Sequence, residues 1–267
     1  APQEGFPRAK AAAVRALELD PLLPDAHTAL AIEESAYELD RPAAQKEFLR
    51  AIELNPNSAL ARRSYASSYL KCMGRYQEAL AEAKKAVELD PLSLPINDFL
   101  ALMYMFAGDN NRSADQFRRV IELDPNHGRA RLLFAVLLAR MGRYRESIDE
   151  FQRGEILTGI PPEQAAEHAA ALRRALATGQ AGGFWQGYLE LALKSVGRPT
   201  QQWFGRFQVA EIYGQLGNND KAFEWLEKAY QNREGIPLSA LNCAPGFKNL
   251  HGDPRFSDLL RRLHLRE

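Results

Sequence analysis

Two sets of helix-ending residues run through the chain with nearly one period and a fixed offset. Such punctuation restricts the chain to a series of paired helices. The first set is LELDP ending at Pro21, IELNP at Pro56, VELDP at Pro91 and IELDP at Pro125, spaced 35, 35 and 34 residues. The second is Gly74, Gly108 and Gly142, spaced 34 and 34. A glycine past a helix end takes the left-handed cap conformation without a Cβ clash, and a proline beyond the next helix stops it from continuing. Each unit therefore reads helix, tight turn, helix, stop.

Between the stops, apolar residues fall at helical spacing, as in Ala114, Phe117, Val120 and Ile121, and no sustained alternation of period two predicts a strand. Small residues recur where paired helices must approach: Ala44 and Ala51, Ala79 and Ala86, Ala222 and Ala229. A period near 34, helix pairs and small contact residues together resemble the tetratricopeptide repeat (TPR) family. In the last clear unit Ala210, Tyr213, Gly217, Ala222, Leu226 and Ala229 fall on that family's small, aromatic, turn, small, large and small positions. The resemblance implies an all-α fold, a right-handed α-solenoid of stacked antiparallel helix pairs. Four units run 22–159, with Phe48, Ala83, Phe117 and Phe151 at the large second-helix position. Ala83 departs from the pattern, as does Leu39 near the turn of unit one. Units one and two carry an extra residue, expected near their internal turns.

The ends are less regular. Residues 1–21 read as a second helix without its first, or as an N-terminal cap. Either Ala1–Phe6 folds back, or the natural chain continues upstream, the reading favoured here. Residues 160–199 form a degenerate helical repeat, with a helix over Glu163–Thr178 and a loop over Gly179–Gly183. A last unit spans 200–233, and 234–267 is a capping segment whose final helix, opened by Pro254, turns Phe256, Leu259, Leu260 and Leu263 to one face. The string QNREGIPLSALNCAPGFKNLHGDPRFSDLLRRLHL, with the repeat before it, resembles the C-terminal TPR region of bacterial winged-helix transcription regulators and Ser/Thr kinases. That resemblance implies the interaction or regulatory region of a larger bacterial signalling protein. The expected location is cytoplasmic, or periplasmic if the parent has an upstream membrane span.

Composition narrows the chemistry. Lys plus Arg (34) balance Asp plus Glu (34), so no global field draws the chain to nucleic acid or to an anionic membrane. No run approaches the roughly 18 apolar residues of a membrane span. The five histidines are scattered and the two cysteines, Cys72 and Cys243, lack nearby ligand partners, so no metal site is expected. The glycines at 179, 182 and 183 follow no strand and precede no Lys-Ser/Thr, which excludes a phosphate loop. No cofactor and no catalytic group is expected.

Binding is what remains. The first helices of stacked pairs line the groove of a repeat solenoid. By the family register the groove candidates are Asp98, Leu102 and Met105 in unit three and Arg129, Leu132, Val136 and Arg140 in unit four, with Lys71 in unit two set less firmly by the register slip. The family's carboxylate clamp needs Lys and Asn where this chain has Asp98, Leu102, Leu132 and Val136, so it is not expected. An apolar floor with charged sides suits an amphipathic helix or an extended apolar segment of a protein partner, and a homo-oligomer is compatible. These residues can equally be read as packing between helices. Eight arginines against five acids between 118 and 153 form either a solvated face or an attractor for an acidic segment. An alternative function is small-molecule sensing through Trp185, Trp203, Phe204 and Phe207 in the aromatic-rich C-terminal third; the other reading of those rings is that they fill an irregular repeat. An enzyme is the second alternative.

Overall fold

The computed structural model describes residues 2–38, 40–196, 205–232, 238, 240–242, 244–263 and 265. Among them there are helices and turns and no strand. The helices are α1 (Pro2–Leu19), α2 (Pro24–Glu33), α3 (Arg41–Leu54), α4 (Ala59–Ser64), α5 (Tyr76–Leu89), α6 (Leu94–Phe106), α7 (Asn110–Leu123), α8 (Gly128–Arg140), α9 (Tyr144–Leu157), α10 (Pro162–Ser195), α11 (Arg206–Gln215), α12 (Asn219–Gln231) and α13 (Pro254–Arg262), with a 3₁₀ turn at Pro245–Leu250. The chain divides into two compact units, one ending at Met103 and one running Tyr104–Leu263. In the first, each helix from α1 to α5 packs on the next; in the second, the same holds from α7 to α12.

Both sets of stops act as their chemistry dictates. Gly74, Gly108, Gly142 and Gly217 take φ of 71°, 78°, 75° and 74°. The residue after each donates its N–H to a carbonyl five positions back, for example Arg143 to Leu138 at 2.8 Å, which closes the first helix of the unit. In the ELDP and ELNP strings the Asx side chain accepts from the backbone two residues on: Asp20 from Leu22 at 2.9 Å, Asn55 from Asn57 at 3.1 Å, Asp124 from Asn126 at 2.9 Å. The proline carbonyl is then gripped from the sixth residue beyond it. Arg62 Nε donates to Pro56 O at 2.9 Å, Asn97 Nδ2 to Pro91 O at 3.1 Å and Arg131 Nε to Pro125 O at 3.2 Å, while His27 Nε2 lies 3.0 Å from Pro21 O. Three of these side chains also hold a glutamate on the second helix of their unit: His27 with Glu47 at 2.5 Å, Arg62 with Glu82 at 2.6 Å and Arg131 with Glu150 at 2.7 Å. One side chain thus ties the inter-repeat turn, the first helix and the second helix together.

The extra residue of the first two units is absorbed inside their first helices. α2 continues as a π-helical segment, Glu34–Glu38, and α4 as Tyr65–Leu70. A wider turn accommodates one more residue while the helix keeps its direction. Leu39 lies outside the described residues.

Residues 2–6 do not fold back on the stack, the less favoured of the two readings of the N-terminus. They belong to the same helix as 7–19, and Phe6 stacks on Tyr37 with ring centroids 5.6 Å apart. The expected loop at 179–183 is a sharp reversal at Gln180 (φ 50°, ψ −135°) with helical backbone on either side. The arms close because glycines face Ala175: a Cβ on Gly183 would sit 2.2 Å from Ala175 O, and one on Gly187 2.8 Å from Ala175 Cβ. At the junction with this hairpin, buried Glu155 of α9 meets His168 Nδ1 at 2.8 Å. Burial raises the Glu155 carboxyl pKa, and His168 opposes the shift. At the far end α13 buries Phe256, Leu259 and Leu260, while Arg262 pairs with Glu227 of α12 at 2.8 Å. Cys72 is a buried free thiol; Cys243 lies outside the described residues.

Two outcomes follow from this packing. Ala222 is wholly buried, so Ala222→Leu should overpack its contact and cost about 1–3 kcal/mol in chemical denaturation, against little change for Lys221→Ala on the exposed face. The second concerns pH. Burial first, then the Glu47 charge, lifts the Glu34 carboxyl from its ordinary 4.5 to about 7, with Lys10 opposing. The folded state then holds a proton that the unfolded chain releases between pH 4.5 and about 7, so this contribution to stability is present below 4.5 and is lost as pH rises through about 7. Glu34→Gln should remove that loss, read as a smaller fall in urea midpoint between pH 5 and pH 8 than wild type shows.

Candidate peptide-binding face

Equivalent positions on the first helices follow from the turn glycines. Counting back from Gly108, Gly142 and Gly217 aligns Asp98, Leu102 and Met105 of α6 with Leu132, Val136 and Ala139 of α8 and with Phe207, Glu211 and Gly214 of α11. The groove expected from the sequence included the first set and Leu132 and Val136 of the second, whereas of the third it named only Phe207, as part of the alternative aromatic pocket. Gly214 was the available signal: a glycine in mid-helix, where the equivalent positions carry Met and Ala, marks a close backbone approach.

Burial divides the candidates. Leu132 is 1% exposed and Met105 5% exposed, so both belong to the interior and neither forms an open floor. Leu132 packs so closely on α9 that a Cβ on Gly154 would meet Leu132 Cγ at 2.7 Å. A glycine at this normally alanine position is what admits the leucine. Asp98 is also buried, at 3% exposure. Leu102, Val136 and Lys71 are half-buried, and Arg129 is exposed. Lys71 directly follows the π-helical segment, and its N–H reaches Ala66 O at 3.0 Å. That segment is the local cause of the register slip in unit two.

Arg140 is held within the fold. Its Nη1 lies 3.3 Å from Met105 Sδ, and its Nη2 pairs with Glu211 of α11. Both ends of the ion pair are mostly buried, at 11% and 18% side-chain exposure. Of the eight arginines between 118 and 153, Arg118, Arg119, Arg131, Arg143 and Arg153 are likewise paired with acids in the same unit. The local excess of positive charge is largely consumed by internal pairs.

Of the four aromatic candidates, the two among the described residues, Trp185 and Phe207, sit in separate contacts. Trp185 is 6% exposed and sits edge-on to Phe184 and Tyr188, with centroids at 5.4 and 6.0 Å, inside a core that includes Phe151 and Leu172. Phe207 lies in another contact, edge-on to Phe247 of the 3₁₀ turn at 5.4 Å. Trp203 and Phe204 lie outside the described residues. Among the described residues no group of His, Cys, Asp and Glu could hold a metal ion, and no helix is long and apolar enough to cross a membrane.

Interior placement of Leu132 sets a measurable cost. Leu132→Ala should destabilise the protein by about 2–5 kcal/mol in denaturant unfolding, whereas Arg129→Ala should stay within about 0.5 kcal/mol.

Comparison with known proteins agrees with this arrangement. Tetratricopeptide repeat profiles match residues 36–93 and 100–158, and a further one matches 206–234. Hsp70-Hsp90 organizing protein 2 of Arabidopsis thaliana is 27% identical over 129 residues, which is 48% of this chain and 20% of that protein. Hsp70-Hsp90 organizing protein 1 of Glycine max is 28% identical over the same shares. The chain therefore spans about a fifth of the length of these relatives. The solved structure of Pseudomonas aeruginosa pilF superposes with a TM-score of 0.57 at 22% identity, over 72% of this chain and 85% of that one, a likeness of fold. With repeat profiles over more than half of its residues and four helix pairs closed by the same glycine turn, the chain belongs to the tetratricopeptide repeat family.

Proposed function

We propose that this chain is a non-catalytic protein-binding scaffold that takes an extended or helical peptide segment along its first helices. The observation that carries this reading is the partial exposure of apolar side chains at equivalent first-helix positions, Leu102 in one unit and Val136 in the other. A helix face that were purely packing would bury them, as it buries Leu132. Family membership supports the reading, and so do relatives named as organizers of Hsp70 and Hsp90, a property that is theirs. The missing Lys and Asn at the clamp positions direct the reading towards apolar segments and away from a terminal carboxylate. Arg129 is exposed on the first-helix face, and Arg140 is held within the fold by Glu211. The resemblance to bacterial regulators adds a finer proposal: the scaffold serves as the interaction region of a larger signalling or transcription protein.

The test uses substitutions that place a charge on this face without breaking the interior. Leu102→Glu and Val136→Glu should each weaken a captured partner by at least tenfold while helicity and melting temperature stay within error of wild type, because a carboxylate would be desolvated without a partner. Arg129→Ala should mainly slow association and reduce its salt dependence. Unchanged partner affinity in both Glu variants would refute the reading.

A further inference from the structure

We infer that the last repeat carries a peptide slot, formed by Phe207, Glu211 and Gly214, that is filled in cis by the chain's own Ala244–Leu250 and accepts from a partner an extended segment bearing glycine followed by an aromatic residue. The inference rests on the peptide-binding reading of the first helices and adds to it a specific site, a motif and a competitor. In register, the three slot residues are those that align with Leu132, Val136 and Ala139 on α8. On α11 the same positions are covered by the 3₁₀ turn Pro245–Leu250.

The fit is made by two glycines facing each other. A Cβ on Gly214 would lie 2.3 Å from Gly246 O and 3.4 Å from Phe247 Cδ1, and a Cβ on Gly246 would lie 2.5 Å from Glu211 Cγ and 2.7 Å from Glu211 O. Backbone therefore meets backbone, and no side chain larger than hydrogen is accepted on either side. Next to this contact Phe247 is wholly buried with its ring edge-on to Phe207 at 5.4 Å. The Glu211 carboxylate is turned to Arg140, which leaves its aliphatic stem beneath Gly246. Lys248 and Asn249 face solvent. Ala244 and Leu250 are buried as well, so the segment is read through Gly-Phe, by steric exclusion and one aromatic contact, with an apolar residue at either end. Its backbone bonds are local, as in Phe247 N–H to Ala244 O at 3.0 Å, so they survive when the segment leaves the slot.

The experiment uses the full chain and a fluorescent peptide of sequence APGFKNL. Gly246→Ala should eject the cis segment and leave the slot intact, so this variant should bind the peptide at least tenfold more tightly than wild type. The double variant Gly214→Ala/Gly246→Ala, whose slot is also obstructed, should lose that gain. Equal peptide affinity in wild type and Gly246→Ala, or a gain that survives in the double variant, would overturn the inference. Hydrogen exchange on wild type tests displacement without substitution. Amides of 244–250 should exchange at least tenfold faster than the core of α12, and faster still with millimolar APGFKNL; protection equal to α12 would make the segment fixed interior and overturn the proposal. A Gly246→Ala chain without a cooperative melt would overturn it in the same way. Failure here leaves partner binding at Leu102 and Val136 to be judged on its own variants.

Discussion

Close approach of the two helices in each repeat is the contact on which the rest depends. Ala44, Ala51, Ala79, Ala86, Ala222 and Ala229 have no accessible surface, and in unit four Ser147 and Gly154 take the same places. Small residues at a crossing bring the backbones near enough for large side chains such as Phe48, Phe117 and Phe151 to close over the contact. A fixed crossing in turn brings the residue six past each stop-proline within reach of a glutamate on the second helix. The polar ties at Arg62–Glu82 and Arg131–Glu150 are therefore consequences of the apolar contact, and both are mostly shielded from solvent. They hold the inter-repeat turn in place once the helices have crossed.

Because the crossing is fixed, variation is pushed to where it costs least. The additional residue in units one and two widens a turn of the first helix ahead of the cap, leaving the capping bond of Gly74 and the buried alanines of α5 in register. The degenerate repeat departs further by reversing at a single residue, Gln180, and by substituting Gly183 and Gly187 where its arms meet. In each case the helix faces that stack on their neighbours are preserved and the irregularity falls in a helix terminus or a reversal.

A peptide-binding reading of this fold depends on which first-helix positions remain open after stacking. Leu102 and Val136, in their separate units, do so in part, while Leu132 and Met105 are consumed by the interior. On α11 the same face is filled by the chain itself. Binding capacity in this family fold is thus a remainder: it is set by what neighbouring helices and the C-terminal segment leave uncovered.

Spacing and residue type alone determined the helix pairs, the cap glycines, the ELDP turns and the buried small positions, since each is decided within a few residues of chain by φ preference, local hydrogen bonding or helical periodicity. That is why the candidate face could be aligned unit by unit before its burial was known. Tertiary structure decided the rest. Leu132 and Val136 share one helix and one apolar character, yet Gly154 on the neighbouring helix admits the first into the core, whereas the second packs against that core only in part. Arg140 is committed to a carboxylate 71 residues away, and Phe207 meets a phenylalanine 40 positions on. Such contacts carry no local signature, because their free energy depends on distances between helices that stacking sets only after each helix has formed.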